Sequence, residues 1–408
     1  MRLGARVNAS ARFRLEPVDR IAPDTGFELS AALRPALERA LEWAGDGLVA
    51  LVLSGSHARG EAVWAELHGQ RVALSDLDVY AIMADEPSCA VARARAAGSP
   101  WQPAGAVMAP LEVAFVTVAG LARSPARPGT IELARSGRVV AGDVGVLSRL
   151  PRWEPSAVSA EERRLLLENR AFELLAAFEP AVGELGALSA RHAMLKVALD
   201  AAASRLLTRG EWPATVTARV QRSRELPRPL DLPSWLERAW EGAEPLWQEA
   251  LASRTGAVSR APTARESLAT WHAAVRAWAV AWWVDPLFEA APADPWERAL
   301  HAAARGSWAR RLRRSVSFRA RTGATPAFAA RMRRALAGTP AMRIHGSAVV
   351  LLLAAAQSSE APRMPAGALR ALSKLGVTRS TAYGMAARDT FLAWDRMLHD
   401  GLRTREHV

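Results

Sequence analysis

Two short apolar runs, each joined to a polar signature, constrain the fold of this chain more than any other feature. The first, Val49-Ala50-Leu51-Val52-Leu53, ends in Ser54-Gly55-Ser56 and is followed by His57-Ala58-Arg59-Gly60-Glu61. The second, running on to Met83, is opened by Ser75-Asp76-Leu77-Asp78-Val79-Tyr80. Runs of this length and composition predict strands. Strand side chains alternate between faces, so Asp76 and Asp78 share one face, about 6.5–7 Å apart along the strand. Leu77, Val79, Ala81 and Met83 share the other, the face of a core.

That pattern carries chemistry. Two carboxylates on one face repel unless a cation sits between them. Hard oxygen donors at this spacing suit Mg²⁺, which also takes phosphate oxygens and keeps several waters. Gly55 lets the backbone approach a phosphate closely, Ser56 adds a hydroxyl, and the residues after it read as a helix start, whose N-terminus favours anions. Taken alone, each element is weak. Asp-x-Asp usually marks a turn or a solvated strand end, and a second Gly-Ser, Gly346-Ser347, has no carboxylate pair after it. Order gives the first one its weight: strand, Gly-Ser, short helix, then a strand with Asp76 and Asp78.

Gly55-Ser56 followed by Asp76-x-Asp78 resembles the signature of the DNA polymerase β-like nucleotidyltransferase superfamily, nearest in look to its antibiotic-modifying and minimal bacterial members. Gly-Ser-His-Ala-Arg-Gly-Glu, residues 55–61, matches their strand-to-helix turn. The spacing from Ser56 to Asp76 is longer than the family usually shows. The extra residues, Val63 to Leu74, read as a hairpin with a turn at His68-Gly69.

The resemblance implies a fold, a reaction and a third acid. The expected fold class is an α/β (α+β) nucleotidyltransferase-like mixed sheet with helices, followed by a large all-α region. The implied reaction moves a nucleoside monophosphate from a nucleoside triphosphate, with ATP the default, to an acceptor hydroxyl with release of pyrophosphate. The third carboxylate falls on Glu112, in Pro110-Leu111-Glu112-Val113-Ala114-Phe115-Val116-Thr117-Val118, a run apolar on both faces except at Glu112. A lone acid in a buried strand is costly unless paired or metal-bound. Glu112 is therefore a candidate metal ligand, a base for the incoming hydroxyl, or both. A salt bridge to a nearby Arg is the alternative. Residues 131–142 match the helix and short strand that close the sheet in relatives.

The implied catalytic and metal residues are Asp76, Asp78 and Glu112, and the implied nucleotide contacts are Gly55, Ser56 and Lys196. Lys196 lies in Arg191–Asp200, which resembles the helix that follows the catalytic domain in relatives, where a basic residue reaches back to the phosphates. The only lysines are Lys196 and Lys374 in a chain that otherwise uses Arg. A Lys is a compact point charge where Arg is a fork. An ion pair with Asp200 one helical turn on is the competing reading, worth only ~0.3–0.5 kcal/mol. Arg59 and Glu61 read at least as well as a surface pair as they do as ligand contacts, and His57 reads as a packing or capping residue rather than a catalyst.

The rest of the chain bounds the possibilities. At 408 residues, two or three domains are expected. The pattern changes near residue 150, giving a catalytic domain over 1–150 and a helical region over 151–408, with a possible seam at Pro292 to Pro295. Ser159 and Glu162 predict a capped helix start. Further helices are expected at about 29–43, 186–208, 233–253, 264–284, 295–314, 325–337, 340–357 and 379–400. The Trp residues between Trp235 and Trp308 read as helical core, with Trp271, Trp278 and Trp282 on one face.

One cysteine, Cys89, permits no intrachain disulfide and fits a cytoplasmic location. The N-terminus shows no apolar signal-peptide core, and no apolar stretch is long enough to span a membrane. No P-loop pattern, His-Glu-x-x-His or Cys-x-x-Cys occurs. The net charge of +12 and the cluster Arg310-Arg311-Leu312-Arg313-Arg314, with Arg319 and Arg321, keep a nucleic-acid-directed binder open as one alternative. A catalytically inactive or regulatory relative is the other. The acceptor stays open among a small molecule, a protein hydroxyl and an RNA end.

Overall fold

The computed structural model describes residues 26–102, 111–179, 183–229, 232–237, 239, 241–256, 258, 260–286, 291–304, 340–358, 364–375, 383–388, 390 and 392. It resolves into two compact units. The first comprises Met1–Ser159, Arg209–Arg222 and Leu251–Ala261; the second comprises Ala160–Thr208, Ser223–Ala250 and Pro262–Val408. A single border at residue 150 does not anticipate the two later returns to the first unit.

The first unit is built on a mixed sheet. Helix α1 (Gly26–Ala44) leads into β1 (Leu48–Leu53), a single helical turn α2 (Gly55–Ala58), the pair β2 (Trp64–Leu67) and β3 (Gln70–Ala73), and β4 (Leu77–Met83). Then come α3 (Glu86–Gly98), β5 (Leu111–Thr117), α4 (Val118–Ala122), α5 (Pro128–Ser136) and β6 (Arg138–Gly142). The four-stranded order is β5-β4-β1-β6. β1 is antiparallel to both neighbours, and β4 runs parallel to β5. A parallel pair needs a crossover, which contains α3; the Asp85 side chain caps that helix by accepting from the Ser88 N–H at 2.9 Å.

The period-2 reading of the strands holds. Leu51, Leu53, Leu77, Val79, Ala81 and Met83 are buried in one cluster with Leu33, Leu37, Ala40 and Leu41 of α1 and with Cys89 and Ala92 of α3. Ala50, Val52 and Ile82 face the other way, into a second cluster with Leu121, Leu133 and Val146. Both faces of the centre are therefore covered, and the Asp-bearing end of β4 lies beyond the second cluster. The expected hairpin is present as β2–β3, paired Leu67↔Gln70 around His68 and Gly69. Both turn residues have positive φ, +50° and +74°, as a two-residue hairpin turn requires.

One strand departs from expectation. β5 is an edge strand, and Glu112 is exposed. The desolvation argument for Glu112 therefore does not apply: on this face β5 has neighbours on one side only, so Glu112 and Ala114 both reach solvent.

The second unit is helical: α6 (Ala160–Phe178), α7 (Glu184–Thr208), α9 (Glu244–Thr255), α10 (Ala264–Trp283), α11 (Pro295–Ala304), α12 (Pro340–Ala356) and α13 (Ala366–Leu375), with α8 (Val216–Arg224) straddling its border. α6 starts where Ser159 and Glu162 place it. Trp271, Trp278 and Trp282 are core, as their spacing predicts. The indole N–H groups of Trp271 and Trp278 donate to the Leu174 and Leu167 carbonyls of α6 at 2.7 and 2.8 Å. Gly346-Ser347 lies inside α12, with Ser347 buried. The Arg310–Arg321 cluster and the helix expected at 325–337 lie outside the described residues, as does most of that expected at 379–400. Among the described residues, no helix is long and apolar enough to cross a membrane.

Candidate active site

The bend after β1 is set against the acidic strand by backbone first. The Ser54 N–H donates to the Asp78 carbonyl at 2.9 Å, extending the β1–β4 pairing to the bend itself. Gly55 then turns into the left-handed region, φ +66°. A Cβ built there would stand 2.2 Å from Asp78 Oδ2. Both the conformation and the close approach demand glycine. The Gly-Ser bend and the second carboxylate of Asp-x-Asp thus face each other directly. α2 lasts only four residues, so the bend offers an anion its backbone and the Ser56 hydroxyl rather than a long helix dipole.

The acids follow from register. Asp76 immediately precedes β4; Asp76, Asp78 and Tyr80 are half-buried, while Leu77 and Val79 between them are buried. Parallel pairing sets Leu77 opposite Leu111 and Asp78 opposite Glu112. Adjacent strands lie about 4.8 Å apart, and residues in register share a face, so Glu112 stands beside Asp78 on the side that carries Asp76. Register thus sets Glu112 beside Asp78, and Asp78 faces the bend, at the end of β4 that Asp76 precedes.

These donors fit Mg²⁺ in kind: carboxylate oxygens on one face, beside a backbone bend kept open by a missing Cβ. Among the described residues, no group of three or more His, Cys, Asp or Glu side chains is gathered to hold a metal by itself. Mg²⁺ in phosphate chemistry takes one or two carboxylates and completes its shell with phosphate oxygens and water, so a protein-only cage is not its usual form.

The surrounding electrostatics assign further roles. His57 is completely buried, and burial lowers its pKa from 6.5 to about 4, against the raising influence of the Ser75 carbonyl and Asp76. It is a neutral imidazole near pH 7, donating from Nε2 to the Ser75 carbonyl at 3.2 Å and meeting Trp64 edge-on at 5.9 Å. Ser75 Oγ in turn accepts from the Val63 N–H at 2.9 Å. His57 thus ties the bend to the residue preceding Asp76. Tyr80 has its pKa raised by burial first, then by Asp78 and Glu132, with Arg127 opposing.

Arg59 and Glu61 are not a surface pair. They bond at 2.7 Å, and Arg59 also reaches Glu132 of α5 at 3.1 Å, all three side chains largely buried. Glu132 in turn meets Arg219 at 2.5 Å, and Glu61 accepts from the Val216 N–H at 2.7 Å. Sequence reading missed this network. The partners of Glu61 lie as far as 155 residues away, and nothing local marks Glu132.

Lys196 belongs to the helical unit. Its Nζ lies 3.9 Å from Glu173, while Asp200, its neighbour one turn on, bonds Arg170 at 2.5 Å. No protein-family model matches the chain and no curated protein matches it, so the functional reading rests on this geometry.

Proposed function

We propose that the protein is an Mg²⁺-dependent nucleotidyltransferase that moves a nucleoside monophosphate from a triphosphate, with ATP the default, to an acceptor hydroxyl. The observation that carries this reading is the parallel register of Asp78 with Glu112, on the strand whose Asp78 carboxylate faces Gly55.

In this reading the acceptor oxygen bonds to the α-phosphorus, the bond to the bridging oxygen breaks, and pyrophosphate leaves. Asp76 and Asp78 would hold the ion through carboxylate oxygens, with phosphate oxygens and water completing its shell. Bound Mg²⁺ would supply charge neutralisation across the phosphate oxygens. Glu112, exposed on the edge strand, would take the acceptor's proton as the new bond forms. Gly55 and Ser56 would receive the β- and γ-phosphates on backbone and hydroxyl. Positioning and charge stabilisation supply most of the rate in phosphoryl chemistry. Lys196, the other phosphate contact that the resemblance implies, lies in the second unit, where its Nζ is 3.9 Å from Glu173.

The test is Asp76→Asn combined with Asp78→Asn. Pyrophosphate release with labelled triphosphate, Mg²⁺ and acceptor extract should fall by about 10³-fold or more, with an unchanged circular dichroism spectrum. Undiminished release, or a wild-type protein with no Mg²⁺-dependent nucleotide binding by calorimetry, would overturn the assignment.

A further inference from the structure

Glu132 is the point at which three stretches of the first unit meet. One oxygen is ion-paired with Arg59, which follows the Gly55-Ser56 bend, at 3.1 Å. The other accepts from Arg219 at 2.5 Å, and Arg219 Nε is itself pinned to the Pro213 carbonyl at 2.8 Å. Arg59 also bonds Glu61, whose second oxygen takes the Val216 N–H. Two guanidinium groups and two carboxylates balance to zero charge, and all four side chains are largely buried.

A buried network of this kind is a poor device for stability, because desolvation consumes most of the Coulombic gain. It is a good device for fixing a geometry, since each charged hydrogen bond tolerates little displacement. What it fixes is specific. The bend has Asp78 in front of Gly55. Behind it, Arg138 of β6 donates to the Ala58 carbonyl at 2.7 Å, and Arg59 is clasped by Glu132.

We propose that Glu132 is a positioning residue for the nucleotidyl transfer inferred above: the Ser54–Asp78 backbone bond sets the start of the bend, and Glu132, by holding Arg59, fixes its far side and thereby the orientation of Ser56 toward the leaving phosphates. This rests on the nucleotidyltransferase reading. Misplacing a reacting group by about 1 Å costs on the order of 10²-fold in rate.

The experiment compares Glu132→Gln, and Glu132→Gln with Arg219→Gln, against wild type. The double change removes one charge of each sign, so it keeps the network neutral and guards against unfolding caused by an unpaired guanidinium. Turnover is measured per folded molecule, the folded fraction being read by circular dichroism. In whichever variant folds, kcat should fall about 10²-fold while KM for the triphosphate moves much less, and Glu132→Asp should recover part of the loss. A folded variant with kcat within about twofold of wild type overturns the inference and leaves the transferase reading standing. An inactive wild type removes that reading itself, so the two failures are told apart.

Discussion

A histidine directly after the Gly55-Ser56 bend invites a catalytic role, and burial removes it. The folded protein holds His57 neutral down to about pH 4, while an unfolded chain protonates it from about pH 6.5. The unfolded state therefore binds more protons throughout that window, and stability must fall as pH falls through it. Below pH 4 the contribution is fully lost. Its ceiling is about 3 kcal/mol, from the size of the shift. We expect the urea midpoint of wild type to drop between pH 7 and pH 4.5, and His57→Gln to flatten that part of the drop. An identical pH dependence in the variant would show that the buried imidazole is not what the acid limb reports.

The same scale shows what a single sequence discloses. Asp76, Asp78 and Gly55 are legible because their geometry is local: alternation along one strand, and a residue type that alone tolerates the bend. Glu112 is legible only as a lone acid in an apolar run, and the inference of a buried strand from that run is wrong. Strand order in a sheet is non-local, and β5 happens to be last. Glu132 is illegible, because its worth depends on Arg59 and Arg219 arriving from elsewhere.

Among elements, those with strong periodicity are read best. α10 is expected at 264–284 and found at Ala264–Trp283, with Thr263 and Glu266 forming a capping box. The hairpin β2–β3 is likewise local, with its turn chemistry written in two residues. The helix expected over 233–253 is found only in its second half, α9 at Glu244–Thr255. α10 also illustrates what holds the helical unit. Trp278 is wholly buried and its N–H is committed to Leu167. Trp278→Ala should destabilise that unit by about 3–5 kcal/mol, read as a lower urea midpoint, and Trp278→Phe should cost less because it retains most of the ring volume. Equal effects of the two would point to the lost indole hydrogen bond rather than to packing.

For the molecule as a whole, the division of the chain matters more than its length. The first unit is not one continuous segment: Arg209–Arg222 supplies Arg219 and the Val216 N–H, and Leu251–Ala261 supplies Val258. The Val258 carbonyl accepts from the Glu66 N–H at 2.9 Å, and its own N–H donates to Trp64 at 2.8 Å. A fragment ending at Ser159 would keep every strand of the sheet yet strand Glu61 and Glu132 without those partners. We expect such a fragment to melt well below the full chain, or not to fold cooperatively, by circular dichroism. A fragment with the full protein's melting temperature would show that the later segments are ornaments of the unit.

The two late returns also set a schedule for a chain made from its N-terminus. The last residue of the sheet, Gly142, is joined to the chain long before Val258 is. At a synthesis rate of about 5–20 residues per second, the delay is on the order of 5–25 s. Until those later segments are made, the hairpin lacks its outer neighbour, Glu132 lacks Arg219 and Glu61 lacks the Val216 N–H. Nascent copies of this protein are thus committed to a spell of incompleteness that no change within the first 159 residues alone can shorten.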